Sequence, residues 1–181
     1  GGFRTFDELF EALTLIQTGR TPPIPVVLLA PEGDPFWGNW LATIEGTLRD
    51  RALISPEDTA LFKQASSAAE ALEQISHFYR VFHAVQFAEE KLELLLHCPL
   101  PAATVVELNR RFDALVDEGN ISQGESSDRN GILRPCLRFH LDRRKVGLLY
   151  QLIDVLNGLP LEVPPSIEQP GQRVCTPPPA P

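Results

Sequence analysis

The first eighty residues alternate between apolar patterns typical of helices and those typical of buried strands. Apolar side chains at helical spacing predict one helix after the opening glycines, a second across the two tryptophans, and a third over 68–80. Short apolar runs at 26–30 and 61–65 predict buried parallel strands between them. The residues expected to face inward are Phe6, Leu9, Phe10, Leu13 and Ile16 in the first helix, Trp37, Trp40, Leu41, Ile44 and Leu48 in the second, and Ala71, Leu72, Ile75 and Phe78 in the third.

Beyond residue 80 the pattern indicates an antiparallel sheet with two helices. Runs at 81–87 and 92–96 flank a polar turn and predict a β-hairpin. A helix is expected from Pro101, a short strand at 120–123, and a half-exposed strand at 133–141, whose Cys136 falls on the polar side. The polar stretch 122–131 predicts a mobile loop, and Asp142 is expected to cap the last helix. The inward residues of the two helices are Val105, Leu108, Phe112 and Leu115, and Val146, Leu149, Ile153 and Leu156.

These patterns divide the chain into three parts. Residues 1–80 form the C-terminal part of a Rossmann-like parallel sheet with flanking helices, so the fold class is α/β. Residues 81–157 form a small appended α+β module with the order ββαββα. From Gly158 to residue 181 the chain is proline-rich without apolar periodicity, which predicts an extended or disordered tail.

The opening residues carry the chemistry with the most direct functional meaning. Gly1 and Gly2 suit a turn whose backbone amides face a ligand. Thr5 is a candidate N-cap, and Asp7 and Glu8 would favour the positive end of the helix dipole. Such an N-terminus binds phosphate readily. The same residues also fit an ordinary capped helix with solvated acids, and the pattern of residue types alone leaves both interpretations open.

Composition limits the possible partners. The formal net charge of −8 argues against bulk binding to nucleic acid or to an anionic membrane. No apolar run approaches the ~18 residues that cross a bilayer, and no signal peptide is visible, so we expect a cytoplasmic protein. The absence of methionine indicates a fragment of a longer chain. The wide spacing of Cys98, Cys136 and Cys175 suits reduced thiols better than a disulfide framework.

A basic cluster in the second half allows two interpretations. It consists of Arg134, Arg138, His140, Arg143, Arg144 and Lys145. The functional interpretation is a regulatory anion or nucleotide site, or a contact with RNA. The alternative is a solvated sheet face, which the acidic chain favours. The four histidines lack the close spacing of metal ligands, so no metal site is predicted.

The segment from Gly1 to Glu8 (GGFRTFDE) resembles the P-G-G-x-G-T-x-x-E signature of the LOG family, long labelled "lysine decarboxylase-like". The likeness continues through 9–19, 25–29 and the two tryptophans, and it ends near residue 80. The resemblance implies hydrolysis of a purine nucleoside 5′-monophosphate, either adenosine or cytokinin-type, to free base and ribose 5-phosphate. It also implies a homodimer that needs no metal or redox cofactor.

By resemblance, Glu8 would be the catalytic acid residue, and Gly1, Gly2 and Thr5 would contact the phosphate or ribose. Glu11 matches a second family acid that could support Glu8. Arg4 departs from the pattern, because the family has glycine at that position, and its guanidinium could hold phosphate or disturb the loop.

The family's leading proline, its first glycine-rich loop and its catalytic arginine are not in this sequence. We therefore expect the 181-residue chain to be inactive alone. A nucleotide-binding sensor without turnover and an oligomerisation protein are the alternative functions.

Overall fold

The computed structural model describes residues 2–162. Gly1 and the tail beyond residue 162 lie outside the described residues, so the predictions for them stay predictions. Among the described helices, none combines the length and the apolar composition that a membrane crossing requires.

The first part of the chain surrounds a pair of parallel strands. Val27 pairs with Lys63, and Leu29 pairs with Ala65. This arrangement confirms a mixed α/β class with parallel strands separated by helices. The elements are α1 (Phe3–Gln17), β1 (Val27–Leu29), α2 (Phe36–Ile44), a π-helical turn (Glu45–Arg49), a 3₁₀ helix (Pro56–Leu61), β2 (Lys63–Ala65) and α3 (Ala68–Phe78).

Aromatic side chains build the core around these strands. The Trp37 and Trp40 rings lie 5.9 Å apart between centroids, and Trp40 meets Phe62 at 5.2 Å, both edge to face. The inward stripe predicted for α2 is confirmed at Trp37, Trp40 and Ile44, each 8% exposed. The tryptophans therefore serve packing. The prediction for Leu72 was wrong, because its side chain is 64% exposed. A described sheet of two strands is too narrow to cover the whole apolar stripe of α3.

The second part is a four-stranded antiparallel sheet in the order β3-β4-β6-β5. The predicted hairpin is confirmed, since Val85 pairs with Leu94 and Ala88 with Lys91 across the turn. The predicted element order ββαββα is confirmed as well. The elements are β3 (Phe82–Ala88), β4 (Lys91–Leu96), α4 (Ala102–Arg111), a 3₁₀ helix (Asp113–Leu115), β5 (Ser122–Ser127), β6 (Leu133–Phe139) and α5 (Val146–Gly158).

Two predictions for the connections in this part were wrong. The polar segment expected as a mobile loop contains β5, which pairs with β6 from Ser122 opposite Arg138 to Ser127 opposite Leu133. An edge strand can be polar because its backbone pairs on one side while its side chains meet water. Asp142 does not cap α5, which begins four residues later. Its carboxylate instead accepts hydrogen bonds from the Arg144 backbone and guanidinium.

The sheet and α5 enclose a second core. Leu94, Leu137 and Ile153 are fully buried in it. The expectation that Cys136 lies on a half-exposed face was wrong, because its side chain is buried. The reason is that β6 is an inner strand, with β4 on one side and β5 on the other. Cys98 and Cys136 are both free thiols, and burial raises the pKa of each.

Helix α5 takes part in both cores. Val146 and Tyr150 pack with the tryptophans of the first core, whereas Leu149, Leu152 and Leu156 pack in the second. Every apolar residue predicted to face inward on α5 is buried. This helix is therefore the element that holds the two parts of the chain together.

Polar contacts at the end of α5 strengthen this junction. The Asn157 side chain is 1% exposed. Its Oδ1 accepts hydrogen bonds from the amides of Val81 and Phe82, at 2.7 and 3.0 Å, and its Nδ2 donates to the Phe78 carbonyl. The Arg80 guanidinium donates to carbonyls at the end of α5, including that of Asn157. The turn between α3 and β3 is thus fastened to α5.

Candidate functional site

The N-terminus of α1 starts directly after Gly2. Gly2 has a φ of 99°, a backbone conformation that glycine adopts readily and other residues rarely do. The helix begins at Phe3, so the prediction that Thr5 is the N-cap was wrong, and the first turn holds no acid. Since Asp7 and Glu8 lie in the second turn, the helix dipole acts on them less strongly than predicted.

Arg4 sits in the regular helix. The non-glycine residues with positive φ in the described chain are Ala52 and Glu89, so Arg4 requires no strained backbone at the position where the LOG pattern has glycine. Its Nε lies 3.0 Å from Oε1 of Glu8, one turn along the helix. The Arg4 and Glu8 side chains are 90% and 65% exposed. A guanidinium and a carboxylate are thus presented together to solvent, and the exposed Glu11 follows one turn beyond Glu8.

The opposite side of α1 packs against α2. The Phe6 ring stacks on Phe36 at 5.5 Å between centroids and meets Trp37 edge-on at 6.1 Å. Because Phe6 and Glu8 are two residues apart in a helix of 3.6 residues per turn, their side chains leave on nearly opposite sides. The structure therefore brings Arg4, Glu8 and Glu11 together on one solvent-facing surface, called here the acidic face of α1. Thr5 is half-buried beside it.

A cleft lies at the C-terminal ends of β1 and β2, where open α/β sheets place their ligands. The loop that follows β1 forms one side of this cleft. The first turn of α3 closes the other side of the cleft. The lining includes Ala30, Asp34, Trp37, Ser66 and Glu70.

The polar side chains of this cleft are engaged in local structure. Glu70 Oε2 accepts hydrogen bonds from the Ser66 backbone amide at 2.7 Å and from its hydroxyl at 2.8 Å. These bonds lower the pKa of Glu70. Ser67 Oγ accepts from the Glu70 amide and so caps α3. Asp34 Oδ1 accepts from the Phe36 amide at 2.9 Å. Our sequence reasoning missed Ser66 and Glu70, although Ser67-x-x-Glu70 has the spacing of a capping box.

The basic cluster is divided among ion pairs. Arg134 lies 2.6 Å from Asp128, and Arg138 lies 2.5 Å from Glu93, a carboxylate that is 4% exposed. Arg144 pairs with Asp142, Lys145 pairs with Glu57, and the Arg143 guanidinium lies over the Phe87 ring. These contacts support the interpretation as sheet-face and surface residues over that of an anion site.

Two histidines sit beside one of these pairs. The His83 and His97 rings are 5.0 Å apart. His83 Nε2 lies 3.6 Å from Asp128 Oδ2, and Arg134 lies 3.5 Å from His97 Nδ1. Burial, His83 and Arg134 together lower the pKa of His97 to about 4. Burial opposes ionisation of Asp128, but the hydrogen bonds from Arg134, Ile132 and Asn130 lower its pKa to about 2.

Comparison with known families bears on the first part of the chain. Residues 1–75 match the family model described as "Possible lysine decarboxylase". The match covers α1, α2, both parallel strands and most of α3, and it supports the LOG-like resemblance of the opening segment. A comparison with curated proteins finds no match.

Proposed function

We propose that the acidic face of α1 belongs to the active site of a phosphoribohydrolase, which cleaves a purine nucleoside 5′-monophosphate to free base and ribose 5-phosphate. The observation that carries the proposal is the exposed Glu8 carboxylate, one turn from Arg4 and two turns from Gly2 with its positive φ. All three residues lie in the segment that matches the family model. The acids of the neighbouring cleft are less suitable, because Glu70 and Asp34 accept local hydrogen bonds.

The chemistry of N-glycosidic hydrolysis gives Glu8 a definite role. As the bond between C1′ and the base nitrogen breaks, positive charge develops on the ribose. A carboxylate beside C1′ stabilises that charge and accepts a proton from the attacking water. The water oxygen bonds to C1′, and the departing base takes up a proton at its nitrogen. Glu11, one turn beyond Glu8, would support the same charge.

The residues at the N-terminus of α1 suit the phosphate group. Backbone amides next to Gly2, together with the Thr5 hydroxyl, would contact the phosphate or ribose, and Gly1 would extend that turn. The Arg4 guanidinium is a strong phosphate ligand. Since Arg4 is paired with Glu8, a phosphate that draws Arg4 away would leave the carboxylate free for the ribose. This exchange costs little, because ion pairs as exposed as this one contribute at most about 1 kcal/mol.

The proposed reaction requires no metal or redox cofactor. The family description names a decarboxylase, a chemistry that usually attaches pyridoxal phosphate to a lysine. The lysine of the matched segment is Lys63, which lies at the start of β2 and forms an ion pair with Asp154 of α5. Lys63 thus lies at the end of the strands opposite to the cleft, which favours hydrolysis over decarboxylation.

We propose a homodimer in which a second copy covers α1. Phe3 is 96% exposed, and Phe10 is 42% exposed although its ring lies 6.0 Å from that of Trp40, so its predicted inward position is only partly covered. The rings of Phe3 and Phe10 lie seven residues apart, on the side of the helix that carries Phe6. Large apolar side chains at this spacing are typical of helix surfaces that pack against a partner.

The test is release of free base from AMP and related monophosphates by the natural full-length polypeptide, followed by chromatography. We expect Glu8→Gln to reduce kcat by at least about a hundredfold, because the amide cannot stabilise the developing charge. Asp7→Asn is the matched control, since it removes a neighbouring exposed acid and should retain activity within about twofold. Equal activity of Glu8→Gln and wild type would refute the role of Glu8.

The ion pair itself favours a second candidate function, a sensor that binds a nucleoside monophosphate without hydrolysing it. Arg4 neutralises Glu8 at the position where the resembled signature has glycine. If the pair persists when nucleotide binds, the wild-type protein will bind AMP without releasing adenine, and Arg4→Gly will restore release. If neither protein binds AMP but both assemble into oligomers, the chain is an oligomerisation protein.

A further inference from the structure

Strand β3 lies at one edge of the four-stranded sheet. Within the described residues it pairs with β4 alone, so the backbone groups on its other side face no strand. Proteins usually protect such an edge with charged side chains, proline or a bulge, because an unprotected edge pairs readily with another strand. The opposite edge, β5, carries Glu125 among short polar residues. The seven residues of β3 (FHAVQFA) include no acid, lysine, arginine or proline, and its bulge is confined to the start, between Phe82 and Ala84.

The hairpin determines which backbone groups of β3 point outward. Ala88 and Lys91 face each other across a two-residue turn, and residues in that position exchange both of their backbone hydrogen bonds. Backbone groups alternate in direction along a strand. Those of Gln86 therefore point to β4, whereas those of Val85 and Phe87 point away from it.

The outward side of β3 also carries an exposed aromatic ring. The Phe87 side chain is 51% exposed, although the Arg143 guanidinium lies 5.4 Å from the centre of its ring. Ala88, the next residue, is exposed as well. Outward backbone groups beside an exposed apolar side chain are the features that a further strand would cover. Residues 84–88 are therefore the part of the edge that is open to pairing.

The sequence of this segment is nearly symmetric about Gln86. Residues 84–88 read AVQFA, so a second copy that runs antiparallel about this centre sets alanine opposite alanine, valine opposite phenylalanine, and Gln86 opposite Gln86. Pairs of a β-branched with an aromatic side chain stabilise antiparallel sheets. The same centre sets the outward-pointing Val85 of one copy opposite the outward-pointing Phe87 of the other, and each such pair exchanges two backbone hydrogen bonds. The segment is thus complementary to itself.

The charges around the segment fit a second copy too. Residues 84–88 are uncharged, so this pairing sets no two like charges directly opposite each other. At each end of the paired segment it brings Glu89, in the hairpin turn of one copy, beside His83 of the other. A carboxylate and an imidazole attract each other when the histidine is protonated and can share a hydrogen bond when it is neutral.

We propose that two copies of this chain join their β3 edges as antiparallel strands, about a two-fold axis at Gln86, so that their sheets become one continuous sheet. The interface is isologous, because the same residues meet from both sides of the axis. This inference goes beyond the proposed function, because β3 lies outside the family-matched segment and contains no residue of α1. Together with the dimer proposed at α1, it builds an assembly larger than a dimer.

Amide hydrogen exchange tests the pairing directly. The ¹⁵N-labelled 181-residue chain exchanges in D₂O at low and at high protein concentration, and two-dimensional NMR reads each amide. We expect the Val85 and Phe87 amides to exchange at least about tenfold more slowly at high concentration, because the second copy then covers them. The Gln86 amide, which bonds to β4, should not change. Exchange of Val85 and Phe87 that is independent of concentration would overturn the proposal.

Two substitutions at one position separate backbone pairing from burial of the ring. Phe87→Pro and Phe87→Val both remove the ring, but only proline removes the outward N–H, and it leaves the hydrogen bonds to β4 intact. In sedimentation at high concentration, Phe87→Pro should halve the mass of the wild-type assembly, whereas Phe87→Val should retain it. A wild-type chain that stays a monomer of 20.1 kDa, or an unchanged mass in Phe87→Pro, would contradict the β3 interface.

Gln86→Lys covers the case that Phe87→Pro fails to fold. Within one chain the new ammonium group faces Glu93, which lies opposite residue 86 on β4. Pairing of two copies sets two ammonium groups opposite each other at the axis, so this variant should also halve the mass. Phe3→Ser weakens the contact proposed at α1 and should leave the slow exchange of Val85 and Phe87 unchanged. Loss of that slow exchange in Phe3→Ser would assign the assembly to α1 and overturn the proposal.

Discussion

At the scale of single residues, the carboxylates of this protein differ in how fully their oxygens are engaged. Glu93 accepts hydrogen bonds from Gln86, Ser126 and Arg138, and Asp128 from three donors. These buried acids hold strands and turns together, and each needs its partners because an unpaired buried charge is very costly. Glu8 differs, since a single exposed arginine contacts it. We assign the chemistry to Glu8 because its carboxylate is engaged by fewer partners than those of Glu93 and Asp128.

Asn157 offers a sharp test of the buried polar network. Asn157→Ala removes the Oδ1 acceptor and the Nδ2 donor, and it leaves the amides of Val81 and Phe82 buried without their side-chain partner. We expect a loss of about 3 kcal/mol or more in the free energy of unfolding, measured in urea. Asn39→Ala, on the exposed side of α2, should change it by less than about 0.5 kcal/mol. A loss below about 1 kcal/mol for Asn157→Ala would contradict the network described here.

The histidine pair predicts how stability depends on pH. The pKa of His97 is lowered to about 4, so between the usual histidine range and pH 4 the unfolded chain binds a proton that the native state does not. Stability should therefore fall as the pH decreases through this window. Below pH 4 stability should fall further. In this range the Asp128 carboxyl of the unfolded chain binds a proton, whereas the native carboxyl, with its pKa of about 2, stays ionised.

The measurement is the midpoint of thermal unfolding at several pH values between 7 and 4. His97→Asn should flatten the decrease, because the group that resists protonation is gone, while His83, Asp128 and Arg134 remain around the site. His77→Asn replaces an exposed histidine and should leave the decrease unchanged. A wild-type midpoint that does not change with pH would contradict the pKa assignment for His97.

At the scale of elements, the close approach of α5 to the 3₁₀ helix Pro56–Leu61 determines how the two parts of the chain meet. A Cβ on Gly147 would lie 2.4 Å from the Glu57 carbonyl oxygen, so the contact requires glycine. Lys145 also pairs with Glu57 at 3.2 Å. The same 3₁₀ helix holds the end of α1, because Gln17 donates to Asp58 at 2.6 Å.

Gly147→Ala tests this contact. The methyl group must push α5 away from the 3₁₀ helix, and we expect a loss of about 1–3 kcal/mol despite the higher helix propensity of alanine. Gly38→Ala, in α2, is the control, since nothing lies within 4 Å of its added Cβ. That variant should be neutral or gain up to about 1 kcal/mol. Both free energies come from urea unfolding, and a stabilising effect of Gly147→Ala would contradict the packing.

Most elements could be predicted from the sequence because their apolar periodicity is strong. The stripe of α5 and the hairpin of β3 and β4 are examples. Failures occurred where a partner decides the outcome. Polar β5 is a strand because β6 offers its backbone, and Leu72 is exposed because the described sheet is narrow. The ion pair of Arg4 with Glu8 follows from helical spacing, whereas the packing of α5 against the first core joins residues far apart in the sequence and could not be predicted.

At the scale of the whole molecule, the proposed division at residue 80 separates two cores that share one helix. Val146 and Tyr150 of α5 complete the core around the tryptophans, although the family match ends at residue 75. The tail predicted for 158–181 begins with residues that still accept hydrogen bonds, since Leu159 and Leu161 receive them from Arg80. We therefore propose two units that depend on each other for stability.

This dependence predicts a single unfolding transition. Tryptophan fluorescence reports on the first core, which holds Trp37 and Trp40, while far-ultraviolet circular dichroism reports on both parts. Because α5 cannot leave one core without exposing the other, the two signals should change at the same urea concentration. Separate midpoints would show that the two parts unfold independently.

The most direct test of the proposed role of Glu8 compares two carboxylates that lie at different places in the same family-matched segment. Base release from AMP is measured for Glu8→Gln and Glu70→Gln in the full-length polypeptide. Glu8 is on the acidic face of α1, and Glu70 is at the strand-end cleft. We expect Glu8→Gln to lose turnover and a folded Glu70→Gln to retain most of it. Full activity in Glu8→Gln with loss in Glu70→Gln would place the chemistry in the cleft and contradict the assignment of Glu8.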